Sequence, residues 1–159
     1  MMRSLAPVVF FAYNRPDHTR QVLESLYRNK YADESSLWIY VDGPKTGASE
    51  ETRSAIAEVK KAVREKKWCK EVTIIEAEVN KGLVRSTTEG VTKLVNEFGK
   101  VIVMEDDNLV SPGFLTYMND ALDLYEHSPR VMHISAYVRP DLDTSTVKES
   151  TFFFYHTTT

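Results

Sequence analysis

The feature that most limits what this chain can fold into is an alternation of short, wholly apolar runs with longer stretches of helical period. Residues 7–13 (PVVFFAY) are continuous β-forming hydrophobics, as a strand covered on both faces requires. After them Val22, Leu23, Leu26 and Tyr27 recur at helical spacing, and Pro16 stands near the start, where its missing N–H costs least. Residues 37–41 (LWIYV) predict a second strand, stopped by Asp42-Gly43-Pro44. A helix is expected over 49–67: Ser49 caps its start, Glu50 and Glu51 suit the positive end of the dipole, and Lys66 and Lys67 suit the negative end. Residues 72–76 (VTIIE) predict a third strand and 83–98 a helix ended by Gly99. A fourth strand at 101–104 (VIVM), a helix over 112–125 and a fifth strand at 131–134 complete the series.

Strand and helix in strict alternation point to the α/β class, a three-layer α/β/α arrangement around a mainly parallel, Rossmann-like sheet. A length of 159 residues suits one domain. Residues 1–137 carry the alternation, whereas 138–150 are polar and irregular. Residues 151–155 (TFFFY) have the composition of one more strand, so 138–159 reads as the start of a further portion. With 42% hydrophobic and 27% charged residues the chain is neither disordered nor fibrous. Twenty basic against twenty-three acidic side chains, a net −3, give no reason to expect a nucleic-acid partner. Lone Cys69, in a Lys-rich stretch, cannot close an internal disulfide and points to a reducing compartment, the cytoplasm. Met1-Met2-Arg3 ahead of an apolar run imitates a secretion signal, but the run leads straight into Asn14-Arg15-Pro16 without a small-residue cleavage site. No stretch approaches the about 20 apolar residues of a membrane span, which leaves only peripheral association with a membrane open.

In an open parallel sheet ligands gather at the carboxyl ends of the strands, near the point where strand order reverses. The residues expected there are Asn14-Arg15-Pro16, Asp42-Gly43-Pro44-Lys45, Glu78 to Gly82, and Glu105-Asp106-Asp107. Three adjacent carboxylates raise one another's pKa unless something positive offsets them, and a divalent cation does so. Oxygen-only ligands favour Mg2+ or Mn2+ over zinc; the bland alternative is a solvated turn in which Asp107 caps local backbone. Asp42 either accepts a hydrogen bond from a base imide or merely builds its turn. Asn80-Lys81-Gly82 leads into a helix whose first amides, with Lys81 and Arg85, suit an anion such as a diphosphate; otherwise Asn80 is an ordinary cap. Lys60, Lys61, Arg64, Lys66, Lys67 and Lys70 read as a solvated helix face rather than an anion patch, and His133, inside the fifth strand, as a core residue. Neither a dinucleotide fingerprint nor a P-loop nor a serine-nucleophile motif occurs.

Four segments in order, APVVFFAYNRPDHTRQVLESL, LWIYVDGPK, VNKGLVRSTTEGV and VIVMEDDNLVSPGFLTYM, resemble the nucleotide-binding half of GT-A fold glycosyltransferases. The likeness is greatest to the branch of N-acetylglucosaminyltransferase I and similar bacterial sugar transferases. The resemblance implies a metal-dependent, inverting transfer from a nucleotide-sugar, a UDP-sugar, to a carbohydrate or glycoconjugate hydroxyl, with Mn2+ or Mg2+ as cofactor. It implies that residues Ala12, Tyr13, Asn14 and Arg15 line the uridine pocket with Asp42, and that Asn80, Lys81 and Gly82 sit beside the base with Arg85 near the phosphates. Glu105 and Asp106 then face ribose and sugar hydroxyls, while Asp107, closing the EDD form of the family's DxD element, binds the metal. In inverting members the catalytic base and the acceptor site come from a second half, so residues 1–159 are expected to bind donor without efficient transfer; neither Asp141 nor Asp143 is assigned as that base. A catalytically silent nucleotide-binding module and an NDP-sugar nucleotidyltransferase are the alternatives, the latter wanting a Gly-rich loop where the chain has Asn14-Arg15-Pro16-Asp17.

Overall fold

The structure, a computed structural model, describes residues 4–137. The irregular run from 138, the expected strand at 151–155 and residues Asp141, Asp143 and His156 lie outside the described residues. Strand and helix alternate as β1 (Val8–Ala12), α1 (Pro16–Tyr27), β2 (Ser36–Val41), α2 (Glu50–Ala62), β3 (Glu71–Glu76), α3 (Leu83–Phe98), β4 (Ile102–Glu105) and α4 (Phe114–Tyr125). The sheet has the order β3-β2-β1-β4, and every pairing is parallel. Successive strands therefore step from β1 to β3 in one direction, and β4 returns to the other side of β1. The order reverses between β1 and β4.

Burial on both faces explains the uninterrupted apolar run of β1, every residue of which is buried. Val8, Phe10 and Ala12 of β1, with Ile39 of β2 and Met104 of β4, pack against α1, α2 and α4 through Leu23, Val59 and Leu115. Val9 and Phe11 turn the other way, onto Leu94 of α3 and the rings of Trp38 and Tyr40. There α3 lies so close that a Cβ on Gly90 would stand 2.9 Å from the Phe11 ring.

Local chemistry sets the helix ends. The Ser49 hydroxyl accepts from the Thr52 amide (3.2 Å), and at Gly99, φ 78°, the left-handed turn returns an amide to the Val95 carbonyl (2.8 Å). α2 stops at Ala62, well short of the expected 67, because the chain turns to bury Trp68, whose indole donates to the Val63 carbonyl (3.0 Å). Cys69 goes with it. Instead of lying on a surface stretch it is buried, and desolvation pushes its thiol up to about 12, out of nucleophilic range. The basic residues at the end of α2 and in the turn after it are ion-paired at the surface: Lys60 and Arg64 with Glu76, Lys61 with Glu58, and Lys66 with Glu24.

One expected element is absent from the described residues. The run at 131–134 forms no strand and His133 is exposed rather than in the core. Met132 is 97% exposed, so only Val131 and Ile134 gain by burial, and the segment is held near α4 by a side-chain contact, the Tyr117 hydroxyl donating to the Ser135 carbonyl (3.0 Å). Among the described residues no helix is long and apolar enough to cross a membrane.

Candidate functional site

Because the strands are all parallel, the segments following β1, β2 and β4 emerge at one edge of the sheet, with the reversal point between the first and the last. The expected site residues divide into two groups on either side of the end of β1.

The first group is built on Asp42, which is 9% exposed and joined to β1 by its amide, donating to the Ala12 carbonyl (3.0 Å). Its Oδ1 accepts from the amides of Gly43 (2.9 Å) and Lys81 (2.8 Å). Its Oδ2 accepts from the Gly82 amide (3.0 Å) and the Asn80 side-chain amide (2.9 Å), and the latter also donates to the Gly43 carbonyl (3.0 Å). A carboxylate has about four lone-pair sites. All of them are taken by the chain itself, so a base imide would have to compete with these donors. Asn80 is not the cap of α3; Gly82 holds that position at φ 79°, which suits glycine. The main chain of the β3–α3 loop also presses on Gly43, where a Cβ would lie 2.6 Å from the Val79 carbonyl carbon.

From that loop two cations reach outward. Lys81 Nζ and Arg85 Nε are both bonded to one carboxylate, that of Glu89 (2.6 and 2.7 Å), whose pKa these hydrogen bonds hold below the usual range. Sequence reasoning passed over Glu89. Its spacing of four from Arg85 was readable as a helical pair, but its bond to Lys81 depends on how the loop folds back. Lys81 and Glu89, with Tyr40, Ile75, Glu78 and Val79, line a cleft of about 280 Å3.

The second group stands at the reversal point. Asp106 has a side chain only 14% exposed, and its pKa is raised, chiefly by burial and further by Asp107, against the opposing pull of Arg15, His18 and a main-chain hydrogen bond at Tyr13. Asp107 is half-exposed and, among the described residues, hydrogen-bonded only to its neighbour Asn108 (2.9 Å). The Arg15 guanidinium approaches both, Nη1 standing 3.6 Å from Asp106 Oδ1 and 3.9 Å from Asp107 Oδ2. Among the described residues no three His, Cys, Asp or Glu side chains converge into a ready-made cage. The donor set fits instead an ion that brings its other ligands with it: Mg2+ commonly uses one or two carboxylates together with phosphate oxygens and water.

What fixes this acidic loop was not anticipated. The Val110 amide donates to Ser25 Oγ (3.2 Å), Asn29 Nδ2 to the Ser111 carbonyl (2.9 Å), and the Leu115 amide to Asn29 Oδ1 (3.0 Å). The back of α1 thus pins the segment leaving the acidic trio, through partners more than eighty residues apart in sequence.

Residues 8–156 match the family model for glycosyl transferase family 2. The chain belongs to that family. This family 2 domain resembles in fold a crystal structure of S. aureus TarS, with a TM-score of 0.51 and 14% identity over 77% of this chain and 20% of that one. A structure of S. aureus TarS 1-349 gives 0.47 and 12%, over 77% and 33%. The chain therefore spans between 20% and 33% of the length of these structures. No curated protein is significantly similar to it in sequence.

Proposed function

We propose that this family 2 domain holds the donor of a sugar transfer in the cytoplasm: a UDP-sugar bound with Mn2+ or Mg2+, its sugar passing with inversion to a carbohydrate or glycoconjugate hydroxyl. The observation that carries the reading is the presence of an open acidic rim, Asp106 and Asp107, and a basic rim, Lys81 and Arg85, on one carboxyl edge of a parallel sheet. Those two rims suit the two ends of a metal–diphosphate.

In this reading Ala12, Tyr13, Asn14 and Arg15 line one wall of the uridine pocket. Asp42 forms the other wall by holding the Asn80-Lys81-Gly82 loop, and Arg85 turns from Glu89 towards phosphate. Glu105 and Asp106 meet ribose and sugar hydroxyls, and Asp107 holds the ion. Such an ion, when bound, stabilises charge on the departing diphosphate without proton transfer, an effect worth several kcal/mol in general. The half-exposed Asp107 carboxylate keeps acceptor capacity for it, whereas buried Asp106 orients against the main chain of Tyr13. The base that takes the acceptor's proton is assigned to no described residue.

Calorimetric titration of the chain with UDP, GDP and dTDP, each with and without Mn2+, tests the reading. UDP is expected to bind, and to bind more tightly with the ion. Absence of nucleotide binding under both conditions would overturn it.

A further inference from the structure

The acidic rim already has a positive charge in front of it. The Arg15 backbone is fixed, its carbonyl accepting from the Thr19 amide (2.9 Å) at the start of α1, but its side chain is 53% exposed and makes no hydrogen bond to either carboxylate. At 3.9 Å from the half-exposed Asp107 it is a Coulombic partner without a locked geometry, and a pair between exposed groups is weak and easily exchanged; at 3.6 Å from the largely buried Asp106 it likewise makes no hydrogen bond. The other titratable group facing Asp106 from α1 is His18.

We propose that Arg15 is an exchangeable stand-in for the divalent ion: it balances Asp106 and Asp107 while the site is empty, and moves to a phosphate oxygen when metal and nucleotide arrive together. This rests on the function proposed above, in which the Arg15 backbone stays in the wall of the uridine pocket, and adds to it an order of events for the side chain. A guanidinium and a divalent cation compete for the same carboxylates, because like charges a few ångströms apart repel. Metal alone has to displace Arg15 into water with no compensating partner, so it binds weakly. With a diphosphate present the displaced guanidinium gains charge-assisted hydrogen bonds to phosphate, and displacement is compensated. Metal and nucleotide therefore bind cooperatively, each raising the other's affinity by the same factor, and Arg15 carries that coupling.

The test follows free Mn2+ by electron paramagnetic resonance as the chain is titrated, with and without UDP, for the natural protein, Arg15→Gln and the charge-preserving Arg15→Lys. In the natural protein UDP is expected to tighten Mn2+ binding about tenfold, a typical size for coupling between sites. In Arg15→Gln, Mn2+ alone should bind several-fold more tightly and the effect of UDP should shrink to about twofold, whereas Arg15→Lys should keep the weak binding of metal alone. Circular dichroism establishes that the variants fold. Unchanged or weaker binding of metal alone in Arg15→Gln, with the UDP effect intact, overturns the stand-in role and leaves the donor-site reading standing. Failure of the natural protein to bind Mn2+ even with UDP overturns both.

Discussion

Two aspartate turns directly follow the strands on either side of β1 and do opposite things. Asp42, after β2, is buried with both oxygens doubly hydrogen-bonded by its own chain. The Asp106-Asp107 turn, after β4, leaves one carboxylate buried at an electrostatic cost and the other half-exposed, with one hydrogen bond from its neighbour Asn108 and a loose ion pair to Arg15. Sequence makes them look alike, each a carboxylate ending an apolar run. The acceptor capacity left over separates them: a saturated carboxylate is part of the scaffold, and an unsaturated one is open to something from outside.

The strongest way to break this comparison is Asp42→Ala. Four donors, three of them backbone amides, lose a charged acceptor, and the β3–α3 loop loses its tie to β2. Urea unfolding is expected to show a loss of about 3 kcal/mol, since hydrogen bonds to charged groups count for more than neutral ones but do not add fully. Asp42→Asn should also be destabilising, because one oxygen becomes an NH2 facing donors. The same loop frames the proposed uridine pocket, so UDP affinity of Asp42→Ala should fall whether or not Mn2+ is present. A stable, tightly binding Asp42→Ala would make the two turns equivalent after all.

Asp107→Ala is the opposite case. It removes one of two adjacent like charges and a hydrogen bond only to Asn108, so stability should move by no more than about 0.5 kcal/mol. Binding should change more: the tightening of UDP by Mn2+ should vanish, a loss of about tenfold or 1.4 kcal/mol. If the variant unfolds instead, the Asp107 turn is scaffold too.

The sequence made the architecture legible because its signal was local. An uninterrupted apolar run marked β1 as a doubly covered strand, shorter apolar runs marked β2 to β4, and turn residues marked where each ends. The expected strand at 131–134 failed because four apolar or neutral residues meet the composition of a strand without stating what lies beside them, and Met132 and His133 point outward here. Cys69 was misplaced for a related reason: a lysine-rich neighbourhood says nothing about which side chains the chain turns inward. In the site, the residue types at each strand end were readable, but their partners were not. Glu89 neutralising Lys81 and Arg85, and Ser25 and Asn29 pinning the loop after Asp107, are long-range contacts that only the folded chain creates.

The smallest expected effect is also the sharpest in sign. Burial raises the pKa of Asp106 despite Arg15 nearby, so the folded state holds this proton more tightly than the unfolded chain does. A group whose folded pKa is raised favours folding below its unfolded value and loses that contribution as pH rises through the folded value. At pH 7 the ionised Asp106 therefore works against the fold. Asp106→Asn, close in shape and without charge, should be more stable than the natural protein at pH 7, by a few tenths of a kcal/mol up to about 1. The advantage should disappear once the pH falls below the folded pKa of Asp106, where the natural residue is neutral as well. Thermal melts of both proteins at neutral and acid pH measure the difference directly. Acid weakens both alike through Glu24, Glu58, Glu76 and Glu89, whose pKa values are lowered and whose contributions go as they protonate, so the quantity to follow is the gap between the two melts rather than either alone. A variant less stable at pH 7 would mean that the Asp106 carboxylate, like that of Asp42, is part of the scaffold, and the contrast between the two turns would be lost.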